Sequence, residues 1–180
     1  ADKIDNHILS TLKAGARQTQ AATAAFGANG ADEEGDLLAA MDKLYANARI
    51  SGDEPLALIL PADKRSAMLN TQLFGNVVES LESHMGRIGN LSVYYSRDYG
   101  TSSALGDDAL LLIPGAETAE FFTYNGPGFM ETELTRMPGV GYDWLLTSFF
   151  GSVIHEHQDS GATAGDGLTN RIVKITGVRA

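Results

Sequence analysis

Leu56-Ala57-Leu58-Ile59-Leu60-Pro61-Ala62-Asp63-Lys64-Arg65-Ser66-Ala67-Met68-Leu69 is the stretch on which the reading of the fold turns. The apolar run 56–60 has no polar alternation, is too short for a buried helix, and stands between Pro55 and Pro61. Those features predict a strand covered on both faces. Pro61 then sits where a helix tolerates proline, so a helix follows, with Met68 and Leu69 toward the core. Upstream, 36–49 carries a helical stripe of Leu37, Leu38, Met41, Leu44, Tyr45 and Ala48, with Asp36 as its candidate N-cap. The segment 36–70 is read as helix, buried strand, helix.

Outward from that unit, 1–16 repeats Ile4, Ile8 and Leu12 at helical spacing, with Asp2 and Asp5 in the first turn and Lys13 near the end. The stripe is narrow, which predicts a helix lying along a surface. Residues 18–34 are rich in Ala, Gln, Thr, Gly and Asn, with Phe26 the one large apolar residue, and are read as a loop-like connection. Its closing run Asp32-Glu33-Glu34 is read as a solvated helix entry.

Residues 72–84 suit a helix or a loop. Beyond Gly86 the period shortens. Strands are expected at 91–95, 109–113 and 119–124, at 129–136 as an exposed or edge strand, at 142–157 as one bent strand or two, and at 171–176. Exposed Gly/Ser/Thr-rich or polar loops are expected at 100–106 and 158–167, and a turn at Asn125-Gly126-Pro127-Gly128. The fold class is α+β, with helices mainly in the first half and a mixed, mostly antiparallel sheet in the second.

The chain has 180 residues, 13 Lys+Arg against 23 Asp+Glu, and no Cys. It is long enough to bury a core without a staple. No disulfide, thiolate zinc site or cysteine nucleophile can form. A formal charge of −10 argues against a phosphate-backbone binder, which needs a cationic surplus. No apolar run approaches the roughly 20 residues of a membrane helix.

His155-Glu156-His157 is the sharpest local candidate for chemistry. On a strand the two imidazoles share a face and make a metal half-site, although a polar strand end is the plainer reading. Glu131 and Glu133 at alternate positions suit paired-carboxylate work, or equally a charged edge that resists pairing. Tyr94, Tyr95, Arg97 and Tyr99 form a thin stacking platform, and a packed strand explains them better. There is no G-x-S-x-G elbow, no phosphate loop and no dinucleotide fingerprint.

The run Gly35-Asp36-Leu37-Leu38-Ala39-Ala40-Met41-Asp42-Lys43-Leu44, followed by 56–69, resembles the axial domain of tailed-bacteriophage major capsid proteins. Related encapsulating shell proteins share that fold. The later order is also similar: a Gly-rich lead into a strand at 86–95, a spaced strand and turn at 108–122, a long strand pair, and a closing strand at 170–178.

The resemblance implies several things. Residues 1–17 would be the end of a spine-like helix, 18–35 a linker, 36–125 an axial-type domain, and 126–180 strands returning to a peripheral-type domain. The chain would be the C-terminal part of a larger coat protein. It would work by self-assembly and not by catalysis, with no cofactor. Copies would form pentamers and hexamers of an icosahedral shell around double-stranded DNA, without sequence-specific binding or a membrane. Scaffolding and portal proteins would be partners, and the location would be a virion assembled in the host cytoplasm. Phe129, Glu131, Glu133, Trp144, Phe149 and Phe150 are the expected interface residues. The alternatives are an encapsulating compartment shell, or a metal-dependent enzyme using His155 and His157.

Overall fold

The computed structural model describes residues 2–47, 54–69, 71, 86–88, 90–96, 103–123, 130–137, 141–147, 150–158 and 168–179. The segments expected at 72–84 and 125–128, and most of the loop at 158–167, lie outside them.

The run 56–60 does form the expected strand. Helix α1 (Asp2–Gly15), strand β1 (Gln18–Ala21) and helix α2 (Glu33–Asn47) precede strand β2 (Leu56–Pro61). A 3₁₀ turn at Ala62–Lys64 leads into helix α3 (Arg65–Leu69). Then come β3 (Gly86–Ile88), β4 (Leu91–Ser96), β5 (Ala109–Leu112), β6 (Ala119–Thr123), β7 (Met130–Met137), β8 (Gly141–Thr147), β9 (Phe150–Ile154), β10 (His157–Gln158), β11 (Leu168–Thr169) and β12 (Ile172–Thr176).

Six strands form one sheet in the order β1-β12-β5-β2-β4-β3. β2 runs parallel to β4 and antiparallel to β5. β12 runs antiparallel to β5 and parallel to β1. The register aligns Val173, Leu111, Leu58 and Val93 in one row across four strands, all buried. Because strand side chains alternate, a second row falls on the opposite face, with Ile172, Leu112 and Ala57 aligned.

Each row is covered by a helix. Leu37, Ala40 and Leu44 of α2 join Phe26, Met68, Leu58 and Val173 in one core. Leu12 of α1, with Ile8 and Leu9 beside it, closes the other face over Ala57, Leu110, Leu112 and Ile172. β5 lies between the two cores, with all four of its residues buried. The narrow apolar stripe of α1 and the broader one of α2 match these duties.

Several expectations are corrected. The loop-like segment 18–34 opens with β1, whose residues pair with 173–176 of β12. Only Gln18 of the four is buried, so an edge strand of this length leaves no apolar alternation to read. Ala22 and Phe26 extend the pairing, their N–H groups donating to the Thr176 and Val178 carbonyls at 2.8 and 2.9 Å.

Asp36 is not the N-cap of α2. Asp32 Oδ1 accepts the Gly35 N–H at 3.0 Å in that role, and the helix starts earlier than expected. Asp36 is buried in the first turn instead, accepting from the Thr23 N–H at 2.8 Å and the Thr23 hydroxyl at 2.9 Å. Leu38 and Leu69, expected on core faces, are exposed. Leu38 falls a sixth of a helical turn or more from the stripe at 37, 40 and 44, and Leu69 is the last residue of a single turn and a half. Leu105, inside the loop expected to be exposed at 100–106, is fully buried in the α1-side core.

The two ends of the chain are tied by Asn170, which is wholly buried. Its side-chain N–H donates to the Gly15 carbonyl at 2.6 Å, at the end of α1. Its Oδ1 accepts the N–H groups of Arg17 and Ile172, each at 3.3 Å. Its main-chain carbonyl accepts from Gln18 Nε2 at 3.2 Å. One amide therefore sets where α1 stops, where β1 begins and where β12 begins.

Asn170→Ala strands these buried partners and is expected to cost about 2–4 kcal/mol, read as a lower urea midpoint. Ser10→Ala, which removes an exposed hydroxyl bonded to the Asn6 carbonyl, should stay within about 0.5 kcal/mol of wild type. Equal midpoints for the two variants would contradict the role given to Asn170.

Candidate assembly surface

The histidine pair lies beside a cleft lined by Ala116, Glu117, Glu120, His155, Glu156, His157 and Arg171. The chain around His155 and Glu156 is not strand, so the shared-face argument for two converging imidazoles does not apply there. His155 instead faces Glu120, 3.7 Å away. Arg17 holds Glu156 with two bonds of 2.6 and 3.0 Å, and Arg171 bridges Glu54 and Glu117.

These pairs pin the end of α1, the approach to β2 and the turn before β6 to one another. Each is partly solvated, so each contributes at most about 1 kcal/mol. Among the described residues no group of three or more His, Asp or Glu is arranged to hold a metal ion. The cleft reads as a mutually neutralising set of charges that fixes where β6 and β9 leave the sheet.

Tyr94 is exposed on β4, and Tyr95 is half-buried. Burial raises the Tyr95 phenol above its ordinary value of 10.0, and the nearby Arg65 charge offsets part of that. Arg97 and Tyr99 lie outside the described residues.

The remaining strands form ribbons away from the main sheet. β6 and β9 pair antiparallel, with Ala119 opposite Ile154, Glu120 opposite Val153, Phe121 opposite Ser152 and Phe122 opposite Gly151. One end of this ribbon is anchored. Ala119 and Ile154 pack on the α1-side core, and a Cβ placed on Gly15 would come 2.8 Å from Ile154 Cγ1. The other end carries the most exposed aromatic in the described surface: Phe122 is 55% exposed, Val153 45% and Phe121 40%. The Phe122 ring lies flat over Gly151, where any side chain would collide with it.

β7 and β8 form a second antiparallel ribbon. It holds Glu131, Glu133 and Trp144 of the expected interface set, with Trp144 paired to Leu134 and Glu131 to Leu146. The pairing gains one residue on β7 between Glu131 and Leu134, so strict alternation does not run through the Glu131–Glu133 pair. Phe150 sits in β9 opposite Thr123. Phe129 and Phe149 lie outside the described residues. The expected interface residues thus fall on two separate ribbons.

Sequence reasoning passed over Phe121, Phe122 and Val153. The signal was present: adjacent Phe residues on a strand face opposite sides, so a ribbon cannot cover both.

No protein-family model matches the chain, and no curated protein matches it. Among solved structures, a chain of the virus-like particle from Pyrococcus furiosus superposes with a TM-score of 0.54 at 10% identity. The match covers 97% of this chain and 62% of that one, so this chain spans less than two thirds of the length of its structural relative. At that identity the likeness is one of fold.

Two outcomes test this geometry. Gly15→Ala should force α1 off the ribbon and lower stability by about 1–3 kcal/mol, measured by chemical denaturation. Because the raised Tyr95 value leaves the folded state protonated where the unfolded state ionises, stability falls as pH rises above about 10. Tyr95→Phe should lose less stability than wild type over that alkaline range, and an identical pH profile would contradict the assignment. The helices, the six-stranded sheet and the outlying ribbons together are the α+β fold that this chain shares with the Pyrococcus furiosus particle's chain.

Proposed function

We propose that this chain is a self-assembling subunit of a closed protein shell and acts by contact, not by catalysis. The observation that carries the reading is the fold match over 97% of the chain to a chain of a virus-like particle. The order of elements noted in the sequence supports it independently, since it resembles shell-forming families. The match to a virus-like particle favours the encapsulating compartment shell over a bacteriophage capsid filled with DNA.

In this reading α1 is the end of a spine-like helix, 36–125 the axial-type part, and 126–180 the strands returning toward a peripheral-type part. Phe150 and Trp144, on the two ribbons, remain interface proposals, as do Phe129, Phe149, Glu131 and Glu133. Pentamers, hexamers and a cytoplasmic assembly site follow if the shell is icosahedral. Portal and scaffolding partners belong to the phage variant alone.

The charge makes a directional prediction. Copies that each carry a formal −10 repel one another as they approach. The screening length shrinks from about 30 Å at 0.01 M salt to about 3 Å at 1 M. Raising NaCl should therefore lower the protein concentration at which assembly begins, the opposite of salt-weakened nucleic-acid binding. Sedimentation velocity across a salt series checks this. A single slow species at every salt and protein concentration would overturn the shell reading.

A further inference from the structure

We propose that the face of the β6–β9 ribbon bearing Phe122 and Val153 is a self-complementary contact, meeting the same face of a second copy across a two-fold axis. The proposal shares with the shell reading only the need for a second copy of this chain.

The first argument is local stability. A two-stranded ribbon is marginal in water unless something packs on it. Here packing is confined to the Ala119–Ile154 end, under α1. Among the described residues neither β6 nor β9 pairs with any further strand. The register puts Glu120, Phe122, Gly151 and Val153 on one side and Ala119, Phe121, Ser152 and Ile154 on the other. The second side is the anchored one, and the first has no helix or sheet over it.

The second argument is the state of Phe122. Gly151 leaves a shelf on which the ring rests with its outer face open. A ring already held in place loses little freedom on binding, and such aromatic anchors dominate contact energies. Glu120 stands at the rim beside His155, which is where interfaces keep their charges.

The occupant follows by exclusion and complementarity. A formal charge of −10 disfavours nucleic acid and anionic membrane surfaces. The other large exposed apolar residues, Leu38, Leu69 and Tyr94, stand singly on α2, α3 and β4. The best apolar complement to the ribbon on the described surface is therefore the ribbon itself, and a patch that pairs with itself generates a two-fold contact. The ribbon also belongs to the fold shared with a particle's chain, because that match leaves only 3% of this chain uncovered.

The chain has no native Cys, so a single introduced thiol reports one position unambiguously. Val153→Cys under mild oxidation should yield a covalent dimer, whereas Leu38→Cys, equally exposed but elsewhere, should not. In parallel, Phe122→Ser should raise the concentration needed for association about tenfold or more, with its thermal unfolding transition retained. Gly151→Ala should do the same by tilting the ring while leaving the apolar area in place.

Copy-to-copy cross-linking through position 153 without closed particles supports the contact and removes the shell reading. Closed particles that form equally well from Phe122→Ser, with no cross-link at 153, overturn the contact and leave the shell reading standing. Equal cross-linking of both Cys variants, or none in either, also overturns it.

Discussion

Everything in this fold hangs on the burial of β5 between β2 and β12. Its residues Ala109, Leu110, Leu111 and Leu112 send side chains alternately into the α2-side and α1-side cores, and all are buried. β2 comes from the first half of the chain and β12 from its end, so β5 can be sealed only when both have arrived. The two helices then cover rows that exist only because three strands are in register. A one-residue slip of β5 would exchange its two rows between faces, and both cores would lose their fit.

Asn170 makes that closure specific. The apolar rows would tolerate several ways of bringing the ends of the chain together. A buried amide with partners at Gly15, Arg17, Gln18 and Ile172 tolerates only one. The same closure sets the direction in which β6 and β9 depart, because Ile154 is held against Gly15. The exposed aromatic ribbon is thus aimed by the core, and the Arg17–Glu156 and Arg171–Glu117 pairs steady its base. Core, hinge and outward-facing surface form one mechanical chain.

Much of this was legible in the sequence, and the parts that were not share a cause. The runs at 56–60 and 109–113 have no polar alternation because both faces are covered, and they read correctly as buried strands. α1 and α2 announced themselves by spacing. β1 was invisible because its polar residues Gln18, Thr19 and Gln20 owe their strand conformation to a partner some 150 residues away, a distance no local period encodes. Asp36 misled for a related reason: it has the chemistry of a cap, but Asp32 reached the helix start first and Thr23 claimed Asp36 from another segment. The histidine pair read as a half-site only on the assumption of a strand, and the chain departs from strand at His155. The Phe121–Phe122 doublet carried the clearest surface signal and was absorbed into a strand assignment, where two-sided exposure was not weighed.

The acidity of the chain takes its meaning from this arrangement. A surface of net negative charge with one apolar ribbon is suited to meeting its own kind once the charge is screened, and poorly suited to gripping nucleic acid. Cryo-electron microscopy of the protein held at high salt tests that claim most directly. The account predicts closed particles of uniform size whose wall is built of this six-stranded sheet, with β6–β9 ribbons at contacts between copies. A reconstruction of discrete monomers, or of open aggregates without symmetry, would contradict it.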